Sequence, residues 1–181
     1  MHGYEEKGND YKNGTTKAIT WGPGNEIRKH GYKFKAIILM PQCPSGNCWS
    51  SYEKSMMELA NKIVVDYKIN KNKISISGFS YGCEGNLIFV KNNPNYFSAA
   101  VPIGCNCDGY ASYFKNVAVW AHAGDGYKSS MNSFVNKINN IGGNARFSGS
   151  SRGHNIISNS YSIFRDSEFD LINWMIKQTK K

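Results

Sequence analysis

Long apolar runs are missing from this sequence of 181 residues. No run approaches the roughly 18 consecutive apolar residues of a membrane-spanning helix, so no transmembrane segment is expected. The first six residues, MHGYEE, bring neither a basic start nor an apolar stretch. No signal peptide is therefore visible, and a cytoplasmic location is expected. Internal repeats, long linkers and low-complexity segments are also missing, and the length predicts a single domain over residues 1–181.

Acidic residues are few relative to basic ones. The chain has 13 Asp and Glu against 22 Lys and Arg, which gives a formal net charge of +9. Such an excess can attract anionic partners. The basic residues are scattered, however, except at Lys68–Lys73 and Lys177–Lys181, and no stripe of arginines alternates with aromatic residues. A basic, solvated surface is therefore the simpler interpretation, and nucleic-acid binding is not expected.

The chain has five cysteines, an odd number. Without a visible signal peptide, this count predicts mostly free thiols in a reducing compartment. Cys105 and Cys107 form a C-x-C pair, and Cys43 and Cys48 are five positions apart. Neither spacing is typical of a zinc site, so no metal site is expected.

Short apolar runs alternate with helical patterns along the chain. Apolar runs predict five strands, at residues 35–40, 73–78, 97–103, 117–121 and 145–147. Helical spacing predicts helices over residues 56–67, 81–91, 131–138 and 169–176. This alternation is typical of βαβ units and predicts an α/β fold, a three-layer α/β/α sandwich around a mainly parallel sheet. Ligands of such sheets bind beyond the carboxyl ends of the strands.

The loop after the predicted strand at 73–78 reads Gly78-Phe79-Ser80-Tyr81-Gly82, a G-x-S-x-G pattern. In a nucleophile elbow, this pattern puts the serine on a sharp, strained turn between a strand and a helix. Glycines at its two ends lack the Cβ atoms that would crowd the turn. Ser80 is therefore the candidate nucleophile, and a serine that caps the next helix is the simpler alternative.

The same pattern occurs a second time, at residues 149–153 around Ser151. A predicted strand precedes Ser151, but no clear helical pattern follows it. A nucleophile elbow needs both elements, so this second match is interpreted as a chance occurrence.

A nucleophilic serine needs a histidine as general base and an acid that orients the histidine. His154 follows the last predicted strand and is the candidate base, because the chain order in α/β-hydrolases is serine, acid, histidine. Asp125, after the strand at 117–121, is the candidate acid, and Asp108 is its rival. Structural roles stay open as alternatives, an exposed loop histidine at 154 and a turn-forming aspartate at 125.

The segments Ile74–Cys83 and Pro94–Pro102 resemble the elbow region of small serine esterases of the α/β-hydrolase superfamily. The likeness is to the polyhydroxybutyrate-depolymerase and feruloyl-esterase type and to the phospholipase/carboxylesterase type. Residues 40–44 with Trp49 are similar to the segment after the fourth strand of these esterases, and residues 2–10 are similar to their oxyanion loop. The resemblance implies an α/β-hydrolase fold that is shortened at the N-terminus, because Met1 alone remains of the strand before the oxyanion loop.

The resemblance also implies an oxyanion hole formed by the backbone N–H groups of Tyr81 and Tyr4. The expected activity is hydrolysis of carboxylic esters through an acyl-enzyme, without a metal or cofactor. The expected substrate is a small-molecule or polymer-linked ester. Two alternatives stay open, a peptidase or amidase of the same fold and a non-catalytic, hydrolase-like binding protein.

Overall fold

The computed structural model describes residues 1–9, 17–46, 49–151, 153 and 170–180. Within this part of the chain, four strands form one sheet in the order β1-β2-β3-β4, and all neighbours are parallel. The strands are β1 (Ser75–Phe79), β2 (Ala99–Ile103), β3 (Ala118–Ala123) and β4 (Asn144–Gly149). The helices are α1 (Pro23–His30), α2 (Glu53–Asp66), α3 (Tyr81–Asn92), α4 (Lys128–Asn140) and α5 (Leu171–Lys177).

Helices cover both faces of the sheet. On one face, the apolar sides of α3 and α4 form the larger part of the core, with Leu87, Val90, Phe134 and Ile138 buried in it. On the other face, Leu171 and Ile172 of α5 pack against Trp120 of β3. The predicted three-layer sandwich with a parallel sheet is therefore confirmed.

Burial follows the position of each strand in the sheet. All five residues of β2 are buried, because it lies between β1 and β3 and both of its faces are covered. β1 and β4 lie at the two edges and are only partly buried. Arg146 of β4 is paired with Trp120 of β3, and its guanidinium lies 3.4 Å from the centre of the Trp120 ring, a cation–π contact between the two strands.

The predicted strand at residues 35–40 is wrong. This segment pairs with no strand of the described sheet, and Ile37 and Leu39 are 53% and 39% exposed. A strand needs a neighbour that completes its backbone hydrogen bonds. Here a cavity of about 480 Å³ is lined both by this segment and by β1, and the two are not paired as strands.

The other predicted elements are present with boundaries within a few residues. The predicted helix at 169–176 begins at Leu171, and its Phe169 lies outside the described residues. None of the described helices combines the length and the apolar character that crossing a membrane requires.

Candidate active site

Ser80 lies on the turn between β1 and α3. Its backbone has φ 52° and ψ −114°, on the positive-φ side that residues other than glycine rarely adopt. The Ser80 N–H donates to the carbonyl oxygen of Ile103 at 2.8 Å, and the Ser80 carbonyl oxygen accepts from the N–H of Cys83 at 2.8 Å. The unusual conformation is therefore held from both sides, by β2 and by the first turn of α3.

Gly78 and Gly82 make this turn sterically possible. A Cβ on Gly78 would overlap the carbonyl group of Gly82. A Cβ on Gly82 would overlap the carbonyl groups of Met1 and His2. These are backbone atoms, which cannot rotate out of the way, so both glycines of the pattern are needed here. The strand, turn and helix predicted around Ser80 are present.

The surroundings of Ser151 differ from those of Ser80. Ser151 follows β4 in an exposed position, and no described helix begins there. Among the described residues, no heavy atom lies within 4 Å of the place where the Cβ of Gly153 would be. The described part of the chain therefore does not crowd this end of the second pattern, in contrast to Gly82.

The loop of residues 1–9 packs against the start of α3 and is fixed there by His2. The Nε2 of His2 accepts from the Cys43 N–H at 2.8 Å, so its Nδ1 donates to the Gly3 carbonyl oxygen, also at 2.8 Å. This pattern requires a neutral ring, and burial lowers the pKa of His2 to about 4. Trp49 Nε1–H donates to the His2 carbonyl oxygen at 3.2 Å. The anchoring role of His2 was not predicted from the sequence, because Cys43 and Trp49 lie 41 and 47 positions away.

The two predicted oxyanion residues, Tyr4 and Tyr81, are neighbours. Their rings meet edge to face with centroids 5.7 Å apart. Lys7 Nζ lies 4.4 Å from the centre of the Tyr4 ring and 4.3 Å from that of Tyr81, and it donates to the Tyr81 hydroxyl at 3.4 Å. These contacts connect the loop that contains Tyr4 to the first residue of α3. No sequence motif marks Lys7, which the structure adds to the site.

The candidate acids lie at the same end of the sheet as Ser80, because in a parallel sheet all strands have their carboxyl ends, and therefore the loops that follow them, on one side. Asp108 follows β2 and is exposed. Asp125 follows β3, and its side chain is 59% exposed and pairs with Lys128 Nζ at 2.7 Å. The candidate base, His154, lies outside the described residues. Gly153, the residue before it, follows β4.

A disulfide lies next to the Ser80 turn. It joins Cys83, in the first turn of α3, to Cys105, after β2. The expectation of mostly free thiols is wrong for this pair, because only the fold brings these two residues together. Cys107 is a buried free thiol, and burial together with the charge of Asp108 raises its pKa to about 12. Cys48 lies outside the described residues.

The sulfur atoms of Cys83, Cys105 and Cys107 all lie within 4.8 Å of one another. This is a close enough grouping for a metal ion. Metals bind thiolates, however, and two of these sulfurs are joined in the disulfide. In its oxidised form, this cluster therefore offers no three-thiolate site.

No family model matches the sequence, and no curated protein is similar enough to match it. Solved structures are similar. A thermostable esterase matches with a TM-score of 0.77 and 21% identity, over 98% of this chain and 53% of that chain. The fluorophosphonate-binding serine hydrolase FphF of Staphylococcus aureus matches with a TM-score of 0.61 and 14% identity, over 98% of this chain and 82% of that one. A Bacillus cereus carboxylesterase matches with a TM-score of 0.52 and 16% identity, over 70% of this chain and 60% of that chain.

Similarities at these identities define the fold. The chain has an α/β-hydrolase fold, and it spans about half the length of the thermostable esterase. The predicted fold class is therefore confirmed by an observation independent of the sequence motif.

Proposed function

We propose that this protein is a serine hydrolase that cleaves carboxylic esters, with Ser80 as its nucleophile. The observation that carries the proposal is the turn itself, where Ser80 has a φ of 52° between two glycines that tolerate no Cβ. The alternative role, a capping serine, finds no support, because Ser80 makes no side-chain capping hydrogen bond to α3. Strain of this kind at the carboxyl end of a parallel strand is typical of a nucleophile elbow.

In the proposed reaction, the Ser80 hydroxyl oxygen attacks the ester carbonyl carbon while His154 takes the hydroxyl proton. Asp125 orients the imidazole. The backbone N–H groups of Tyr81 and Tyr4 donate to the tetrahedral oxyanion. The C–O bond then breaks, and the leaving alcohol takes the proton from the histidine. Water, deprotonated by the same histidine, attacks the acyl carbon. The bond from this carbon to the Ser80 oxygen breaks, the histidine returns the proton to that oxygen, and the carboxylic acid is released.

Two features of the site support this assignment of roles. Tyr81 is the first residue of α3, and N–H groups at a helix N-terminus stabilise negative charge. The loop that contains Tyr4 is held beside Tyr81 through Lys7. The choice of esters over amides is supported by two of the fold neighbours, whose names are thermostable esterase and carboxylesterase.

The test is hydrolysis of p-nitrophenyl acetate and butyrate by the wild type and two variants. Ser80→Ala should lower kcat by at least about 1,000-fold, because the covalent route is lost. Ser151→Ala, in the second G-x-S-x-G pattern, is the matched control and should stay within about twofold of the wild type. Asp125→Asn should slow the reaction, whereas Asp108→Asn should leave it unchanged.

Two results would contradict the proposal. A Ser80→Ala variant with undiminished esterase activity would exclude this serine as the nucleophile. Faster cleavage of peptide p-nitroanilides than of the matched esters would assign the same site to an amidase.

A further inference from the structure

Three cysteine sulfurs lie together beside the Ser80 turn, although no motif of the sequence contains all three. Cys83 is in the first turn of α3, and Cys105 and Cys107 lie in the loop after β2. The three sulfur atoms are within 4.8 Å of one another, and none of the three residues is more than 3% exposed. This group of three residues is termed the sulfur triad below.

The separations in the sulfur triad are close to those of ligands around one metal ion. With metal–sulfur bonds of about 2.3 Å, two ligands of a tetrahedral ion lie about 3.8 Å apart. The sulfurs of Cys105 and Cys107 are 4.0 Å apart. The disulfide holds Cys83 and Cys105 closer than this, and their Cα atoms are 5.9 Å apart. Once the disulfide is reduced, rotation of the two side chains brings their sulfurs to the separation of ligands.

The loop after β2 is fixed by hydrogen bonds as well as by the disulfide. The Cys107 N–H donates to the Ser130 hydroxyl oxygen of α4 at 3.1 Å, and the Gly104 N–H donates to the His122 carbonyl oxygen of β3 at 3.0 Å. Cys83 is held by α3, which packs against the sheet through its buried apolar side. Reduction of the disulfide therefore leaves the three sulfurs next to one another.

The donor atoms of the sulfur triad are all sulfur. Among the described residues, no histidine, aspartate or glutamate belongs to the same group. Thiolate sulfur selects soft ions such as Cu⁺ and Zn²⁺, whereas Mg²⁺ and Ca²⁺ require oxygen ligands. Because the triad is buried, its thiolates also need a positive ion that compensates their charge.

We propose that the reduced protein binds one soft d¹⁰ metal ion, Zn²⁺ or Cu⁺, at the thiolates of Cys83, Cys105 and Cys107, and that formation of the disulfide excludes the ion. A dithiol reductant such as dithiothreitol gives two electrons and two protons to the disulfide, which becomes two thiols, while the reductant becomes a cyclic disulfide. The ion then replaces the three thiol protons, which pass to the solvent. The site does not use the Ser80 hydroxyl and is independent of the proposed esterase activity.

The test is a titration with Cd²⁺, a spectroscopic substitute for Zn²⁺, after the protein has been reduced with dithiothreitol and freed of it without oxygen. Cadmium–thiolate bonds are followed by their charge-transfer absorption in the ultraviolet. The reduced wild type and Ser80→Ala should each bind Cd²⁺ at the triad, and excess Zn²⁺ should displace it. A titration with Cu⁺ against the chelator bicinchoninate shows which of the two ions the site prefers. The oxidised protein should bind neither ion at the triad.

Two variants locate the bound ion. Cys107→Ala removes one ligand and should weaken Cd²⁺ binding by at least about 100-fold, because the loss of a hydrogen bond that merely supports a ligand already costs roughly 10- to 100-fold. Cys43→Ala is the matched control and should bind as the wild type does, since Cys43 is a buried free thiol outside the triad.

Alkylation of the reduced wild type with iodoacetamide locates the ion without a variant. Bound Cd²⁺ should slow the modification of all three triad cysteines, because a metal-bound thiolate is not a free nucleophile. Mass spectrometry of the proteolysed protein should show that they are slowed by at least about tenfold more than Cys43.

The proposal is overturned by a reduced wild type that binds neither Cd²⁺ nor Cu⁺. Equally tight binding to Cys107→Ala, or alkylation of the triad that the ion does not slow, would place the ion elsewhere and overturn it as well. Unchanged binding to the oxidised protein would contradict the control by the disulfide. Because Ser80→Ala is part of the same titration, a failure of the metal site and a failure of the proposed esterase activity are observed separately.

Discussion

Ser80 is held in its backbone conformation by its neighbours. A positive φ at a residue other than glycine costs about 1–3 kcal/mol and persists only where the surroundings enforce it. Here the enforcing contacts are the bond from the Ser80 N–H to Ile103 and the bonds from the first turn of α3 to the Ser80 carbonyl oxygen. Both contacts belong to the sheet and helix that form the centre of the fold. The strain is therefore built into the core of the molecule and does not depend on a surface loop.

Gly82→Ala tests how tightly this turn is packed. The added Cβ would overlap the carbonyl groups of Met1 and His2, so the N-terminal loop must move away from α3. We expect a free energy of unfolding lower by about 2 kcal/mol or more, measured by urea denaturation, and loss of most esterase activity.

Gly142→Ala is the control for this change. Gly142 has a φ of 80° beyond α4 and open space around it, so alanine there costs about 1–2 kcal/mol of backbone strain. Activity per folded molecule should be unchanged by it. Wild-type stability and activity in Gly82→Ala would contradict the packing described for the turn.

The sequence could distinguish Ser80 from Ser151, because only Ser80 stands between an apolar run and a helical pattern. The strand before Ser80 and the helix after it are each predicted from the periodicity of a short stretch of sequence, which a single sequence is enough to show. The role of His2 could not be predicted, because its ring is held by the backbone of Cys43, 41 positions away. Lys7 was missed for a similar reason, since its contact with Tyr81 spans 74 positions.

Among the elements, strands and helices were predictable where periodicity and partners agree. The runs that became β1 to β4 each gained a neighbouring strand in the sheet. The run at 35–40 is as apolar as these, yet it is not a strand. An apolar sequence favours burial, but a strand forms only where a neighbouring strand completes its backbone hydrogen bonds. Whether such a ladder forms depends on another part of the chain, which the run itself does not encode.

The disulfide between Cys83 and Cys105 should stabilise the junction of α3 and β2. It closes a loop between residues 22 positions apart, which in the chain-entropy description is worth about 3 kcal/mol. Dithiothreitol should therefore lower the free energy of unfolding of the wild type by about this amount in urea denaturation.

A Cys83→Ala/Cys105→Ala double variant is the control for this prediction, because its stability should not respond to dithiothreitol. Cys107→Ala, which leaves the disulfide in place, should keep the response of the wild type. Equal stability of the oxidised and reduced wild type would contradict a structural role for the bond.

At the scale of the whole molecule, the parallel sheet has the carboxyl ends of all its strands on the same side. Ser80, Asp108 and Asp125 follow three different strands and still leave the sheet on the same side. The order of these residues could be predicted from the sequence because chain order maps directly onto strand order in this sheet. The position of His154 relative to Ser80, and the organisation of residues 1–181 as a single domain, stay predictions.

Stability should fall in mild acid because two histidines are buried as neutral rings. Burial lowers the pKa of His2 and that of His122 to about 4. In the unfolded chain, both rings take up protons below their usual pKa of about 6.5, so between about pH 6.5 and pH 4 the unfolded state binds more protons. The free energy of unfolding should therefore decrease over this range by up to about 1.4 kcal/mol per pH unit for each histidine.

Urea denaturation of the wild type and variants between pH 7.5 and pH 4.5 measures this slope. His122→Gln should reduce the slope of the free energy of unfolding against pH by up to about 1.4 kcal/mol per pH unit, the contribution of one proton, whatever its effect on stability at pH 7.5. A slope that His122→Gln leaves unchanged would show that this ring is protonated in the folded protein.

The most direct test of the central claim is covalent labelling with a fluorophosphonate probe, followed by mass spectrometry of the proteolysed protein. The probe reacts with a serine only when a site activates its hydroxyl. We expect one adduct per molecule, on the peptide that contains Ser80, with no adduct on the peptide of Ser151 and none after heat denaturation. A folded, unlabelled wild type, or an adduct that survives in Ser80→Ala, would contradict the assignment of Ser80 as the nucleophile.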